Sequence, residues 1–136
     1  MPHPRRIVYL ALVLATIGAG LAVHRGGRAL LPADVRDVAG DALWAAMMAW
    51  WMGAAAPRAA PGSRSLAAYA VCVAVEFSQL IHTPALDQLR RTAPGHLVLG
   101  SGFDPRDLAA YAAGVLAAAA LERAARRRSA ARRSSP

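Results

Sequence analysis

Lysine is absent from the 136 residues, and all 16 basic residues are arginine. With 34 alanines, this reads as base-composition bias, so Arg-for-Lys and Ala-for-Leu choices say little about function. One cysteine, Cys72, excludes an internal disulfide framework and a cysteine-built metal site. No aromatic residue is interleaved with the arginines after residue 122, which removes the usual stacking platform for nucleic acid despite a net charge of +8. No internal repeat is present. The chain has 56% hydrophobic residues and a mean hydropathy of +0.30, too apolar for a disordered protein and short enough for one domain.

The absence that organises the chain is absence of charge. Residues 7–24 hold 18 positions without a formal charge, residues 42–57 hold 16, residues 65–86 hold 22 interrupted only by Glu76, and residues 108–121 hold 14. A membrane helix needs about 20 mostly apolar residues. The expectation is an all-α polytopic membrane protein, a bundle of four transmembrane helices at about 7–23, 38–56, 66–82 and 107–123, within a domain of residues 1–121. A soluble Ala-rich four-helix bundle fits poorly, because these segments lack a charged outer face. Residues 7–23 resemble a signal peptide. Their 17 apolar residues exceed the usual ~7–15-residue signal core, so they read as an uncleaved first helix.

Arginine placement sets the expected orientation. The N-terminus, the second loop and the C-terminal segment share one side and carry ten arginines, against six in loops 24–37 and 82–106. More arginine on one face predicts an inner-membrane protein with both termini cytoplasmic. Residues 122–136 read as a basic, disordered cytoplasmic tail attracted to anionic lipid.

Short interfacial helices are expected in the outer loops. Residues 30–38 have Pro32 at the first helical position. Thr83-Pro84 starts a segment ending at Arg91. Gly95-His96-Leu97-Val98-Leu99-Gly100 is an apolar hexapeptide too short to span, and Asp104-Pro105 reads as a cap followed by a first helical residue.

Several polar residues stand out against this background. Glu76 lies inside the third span, about 15 Å along a helix starting near Leu66, where an isolated carboxylate is costly. It must face the bundle, hold a proton or find a partner, and Gln79, Cys72 and Tyr69 share its face. It reads equally as a functional group and as a clamp between helices. Asp41 stands near the start of the second span, with Trp44 and Met48 on its face. Arg90 suits two-point binding of phosphate, and His96 suits proton transfer near neutral pH. Asp107, Tyr111 and Gly114 share a face of the fourth span, where Gly114 and Ala118 form a small-residue stripe. In the expected topology these groups converge on the outer side.

The stretches Gly40-Asp41-Ala42-Leu43-Trp44, Glu76-Phe77-Ser78-Gln79-Leu80, Arg90, Gly95-His96-Leu97-Val98-Leu99-Gly100, Gly102-Phe103 and Asp107-Leu108 with Tyr111 and Gly114 resemble domain-of-unknown-function family 2809, which is VanZ-like in layout. The resemblance spans residues 7–121. It implies a four-helix bacterial inner-membrane protein, and through VanZ-like relatives a distant link to the cell envelope. Asp41, Glu76, Gln79, Arg90, His96 and Asp107 match its pattern and form the expected ligand-binding set. Arg91, Pro94, Asp104 and Pro105 take no functional role.

Four readings stay open. The first is a binding module that holds an anionic lipid headgroup or a lipid-linked envelope precursor outside the membrane, with Arg90 on phosphate and Glu76 supporting Arg90. The second is an enzyme on such a lipid, with Glu76 or His96 as the catalytic acid or base. The third is a small transporter or proton-path subunit. The fourth is a structural membrane protein. The expected partners are membrane lipids and a second copy of the chain, with no nucleic acid, no metal and no cofactor.

Overall fold

The computed structural model describes residues 4–100 and 102–134, with the side chains of Pro4, Arg28, His96, Leu97 and Ser134 outside the description. Among the described residues there are six α-helices and no strand. They are α1 (Pro4–Gly26), α2 (Ala33–Ala55), α3 (Pro61–Ser78), α4 (Pro84–Arg91), α5 (Ala93–Leu99) and α6 (Pro105–Ser134), with a single 3-10 turn at Gly27–Ala29.

Proline and short polar side chains set the helix starts. Pro61, Pro84 and Pro105 each take the first helical position, where a missing N–H leaves no bond unmade. The Thr83 hydroxyl accepts from the Leu86 N–H at 3.3 Å, and Asp104 Oδ1 accepts from the Arg106 N–H at 2.9 Å. Both bonds satisfy first-turn donors that the helix cannot satisfy itself.

α2 is the central element. It packs against α1, α3 and α6, and α3 also packs against α6. Tyr9, Val13, Trp50, Ala54 and Ala118 form a core between α1, α2 and α6. Ala45, Ala68, Cys72, Tyr111 and Val115 form a second core among α2, α3 and α6. The small-residue stripe works as a contact surface: a Cβ added at Gly114 would run into the Ala42 carbonyl oxygen of α2, so only glycine permits this approach.

Three boundaries differ from the sequence expectation. Residues 30–38 do not form a separate interfacial helix; Pro32 is the cap and α2 runs on from Ala33. α3 begins at Pro61 and ends at Ser78, so Glu76 stands in its last turn and not at mid-span. α6 continues to Ser134 through the segment expected to be a disordered tail. Alanine and arginine are strong helix formers, and no glycine or proline interrupts residues 115–134.

Two stretches, Arg5–Gly26 and Pro105–Arg133, are long and apolar enough to cross a membrane. α2 and α3 carry charges inside their length, Asp41 in one and Arg64 and Glu76 in the other. The two charged side chains of α3 point inward, with Arg64 4% and Glu76 0% exposed.

Candidate functional site

Glu76 is the most buried charged side chain of the described residues, and the chain supplies its partners. Its Oε1 accepts from the Asp104 backbone N–H at 2.7 Å, and its Oε2 accepts from the Tyr111 hydroxyl at 2.9 Å and from Gln79 Nε2 at 3.4 Å. The carboxylate therefore ties the end of α3 to the start of α6 and to its second helical turn. These three hydrogen bonds offset part of the burial cost.

Around this bracket lie two further carboxyls. Asp41 of α2 and Asp107 of α6 are close enough to interact electrostatically with each other and with Glu76, and both are half-buried. Two neighbouring carboxylates repel each other, and a cation or donor placed between them relieves that repulsion. Among the described residues neither pairs with an arginine. Gln79 is 6% exposed, and its Oε1 has no partner among the described residues. Gly100 closes over it: φ is +64° there, and a Cβ would strike Gln79 Nε2. That backbone region is open to glycine and strained for other residues.

The structure thus gathers Asp41, Glu76, Gln79 and Asp107, together with Tyr111. Arg90 does something different. Its NH2 donates to the Ser78 carbonyl at 2.6 Å, and its NH1 to the Ile81 carbonyl at 2.9 Å and to Asp87 Oδ1 at 3.2 Å. It is 8% exposed and caps the C-terminal end of α3, where a cation suits the helix dipole. Its partners do not include Glu76. Arg91 is exposed on α4, and His96 has its backbone in α5 while its side chain lies outside the described residues.

A second polar cluster occupies the opposite end of the bundle, and sequence reasoning missed it. Arg64 of α3 donates through NH2 to Glu122 Oε1 of α6 at 2.6 Å and through NH1 to the Tyr9 hydroxyl of α1 at 2.8 Å. Tyr9 donates to the same Glu122 oxygen at 2.7 Å, and Arg126 donates to it through Nε at 3.0 Å and NH2 at 2.7 Å. The Arg64 guanidinium also lies 5.1 Å from the Tyr9 ring centroid. Nearby, Arg6 donates to the Ala54 carbonyl at 2.9 Å and caps the end of α2. The i,i+4 spacing of Glu122 and Arg126 was the one local signal. Tyr9 and Arg64 gave none.

Among the described residues no nucleophile stands ready at the Glu76 end. The Ser78 hydroxyl donates to the Val75 carbonyl of its own helix at 2.6 Å. Among the described residues no group of three or more His, Cys, Asp or Glu side chains is arranged to hold a metal ion. The arrangement offers carboxyl and amide oxygens, which are acceptors for a donor-bearing partner.

No solved structure matches the chain. A family model described as "Protein of unknown function (DUF2809)" matches residues 30–115, a stretch that contains Asp41, Glu76, Gln79, Arg90 and Asp107. The chain belongs to the DUF2809 family.

Proposed function

We propose that this is a four-span inner-membrane protein with both termini in the cytoplasm, and that the Glu76 end of the bundle faces outward and binds the polar headgroup of an envelope lipid or a lipid-linked precursor. The membrane part rests on what the helices expose. Leu14, Leu66 and Leu116 are 66–70% exposed, while Arg64 and Glu76 are buried. That is the reverse of a soluble bundle, and it suits helices in hydrocarbon whose polar groups face inward.

The observation that carries the binding reading is the Asp41–Asp107 pair beside the unpartnered Gln79 Oε1. Glu76 is fully engaged by the chain and acts as the bracket behind them. These three groups favour a headgroup that brings donors, an amine or sugar hydroxyls. Arg106, exposed and next to Asp107 in sequence, is a cation available to the headgroup phosphate, whereas Arg90 is held by carbonyls.

The other readings receive less support. A core that includes Ala45, Ala68, Cys72 and Val115 lies between the two polar clusters, about 18 Å apart along α3, which weighs against a proton path. The engaged Ser78 hydroxyl weighs against acyl-transfer chemistry.

The test is native mass spectrometry of the detergent-purified protein beside Asp107→Asn and Arg106→Gln. The expected result is a defined lipid on the wild type that both variants lose while keeping their helical circular dichroism. Equal retention by all three proteins, or no selective lipid, overturns the binding reading.

A further inference from the structure

The Arg64 end carries a feature that the proposed headgroup site does not use. α1, α2 and α6 together line an open groove of about 750 Å³ there. That volume falls within the range of about 300–1,000 Å³ common for small-molecule sites. Val8 and Leu12 of α1, Leu121 of α6 and Trp50 of α2 give it apolar walls. Arg126 and Arg133 stand at its α6 edge.

The polar lining is biased toward cations. Glu122 is the one carboxylate among the lining residues, and it already accepts from Arg64, Arg126 and Tyr9. Arg64 and Arg126 both pair with that one carboxylate, so the edge keeps a net positive charge, and Arg133 is not among the partners of Glu122. The groove therefore joins an apolar trough to a positive edge, with the stacked Tyr9–Trp50 pair (centroids 6.4 Å apart) at the junction. Aromatic residues favour that headgroup level of a bilayer.

We infer that this groove holds one acyl chain of an anionic phospholipid from the cytoplasmic leaflet, with its phosphate between Arg126 and Arg133. The apolar length of the trough faces the hydrocarbon; Arg133 supplies paired N–H donors to phosphate oxygens, and Arg126, whose Nε and NH2 donate to Glu122, adds positive charge beside them. The inference rests on the membrane reading and on its orientation, and it is independent of the outer headgroup site.

Trp50 reports occupancy directly. A Trp44→Phe, Trp51→Phe protein keeps Trp50 as its only tryptophan. This protein is reconstituted in phosphatidylcholine vesicles containing a few mole per cent of acyl-brominated phosphatidylglycerol, or the same amount of equally brominated phosphatidylcholine. The expected result is at least threefold more quenching of Trp50 by the brominated phosphatidylglycerol. That excess is lost in Arg126→Gln, Arg133→Gln protein, and also in Ala125→Phe, which fills the groove without changing its charge. Equal quenching by the two lipids, or an excess that survives both variants, overturns the inference while leaving the membrane reading intact. A protein that fails to float with the vesicles overturns both.

Discussion

The hydroxyl of Tyr111 and the carboxylate of Glu76 meet at 2.9 Å across 35 residues of sequence, and both side chains are buried. Glu76 also accepts the Asp104 N–H, so one side chain holds two points of α6 against α3.

Removing the hydroxyl leaves that carboxylate with fewer donors in a buried site. Tyr111→Phe is expected to cost about 1–3 kcal/mol, the penalty for an under-satisfied buried acceptor. Glu76→Ala costs more than Glu76→Gln, because glutamine still accepts the Asp104 N–H. Thermal unfolding in detergent ranks the three variants, and equal midpoints for Glu76→Ala and wild type would remove the bracket role.

Gly114 tests the α2–α6 contact. Gly114→Ala drives a methyl into the Ala42 carbonyl and is expected to cost about 1–3 kcal/mol through forced separation of the helices. Gly40→Ala, in the same helix as Ala42 but with nothing within 4 Å of the added carbon, is the control. It is expected to stabilise slightly, by up to ~1 kcal/mol of helix propensity. The same melting measurement separates them.

The cluster at the other end behaves as a buried ion pair. Arg64→Gln leaves Glu122, whose side chain is 16% exposed, with only the surface cation Arg126. The expected loss is about 3 kcal/mol, the low end for breaking a buried pair. Adding Glu122→Gln to Arg64→Gln restores part of it. A double variant no better than the sum of the two singles would show that the pair is not coupled.

Arg90→Gln separates capping from binding. It removes a cationic cap from two carbonyls and is expected to lower the melting temperature. Lipid retained per folded protein should stay at the wild-type level. Selective lipid loss without destabilisation would return Arg90 to the ligand site.

Orientation is read by labelling. Cys72 is fully buried and should resist maleimide until the protein is denatured. In a Cys72→Ala background, a membrane-impermeant maleimide added to spheroplasts should label Arg91→Cys and spare Arg58→Cys. The opposite pattern inverts the proposed topology.

Local rules made some of this structure legible in the sequence. Thr83 with Pro84 and Asp104 with Pro105 mark helix starts because their bonding partners lie two or three residues away. Gly114 declared a close contact through its spacing to Ala118. Glu76 announces in the sequence that it needs partners, but its depth depends on where α3 starts: the apolar run suggests Leu66 and the structure begins at Pro61. One of its main partners is a backbone N–H that no side-chain pattern reveals. Arg90 looked like an anion clamp for the same reason: two of its acceptors are carbonyls. Arg64 and Arg6 looked like solvated topology markers, since a count of arginines per loop carries no geometry. Arg64 meets Tyr9 and Glu122 across 55 and 58 residues, and only the packed bundle shows that.

α6 extends for 30 residues, about 45 Å at the helical rise, against a hydrocarbon layer of about 30 Å. Past Val115 it contains no glycine or proline to act as a hinge. In a bilayer its arginine-rich end becomes a rigid oar about 15 Å long, fixed to the same shaft that carries Asp107. Whatever grips that oar, whether a charged membrane surface or a second protein, also tilts the shaft. The mouth of the outer site would then feel an event on the far side of the membrane without any intervening element having to move.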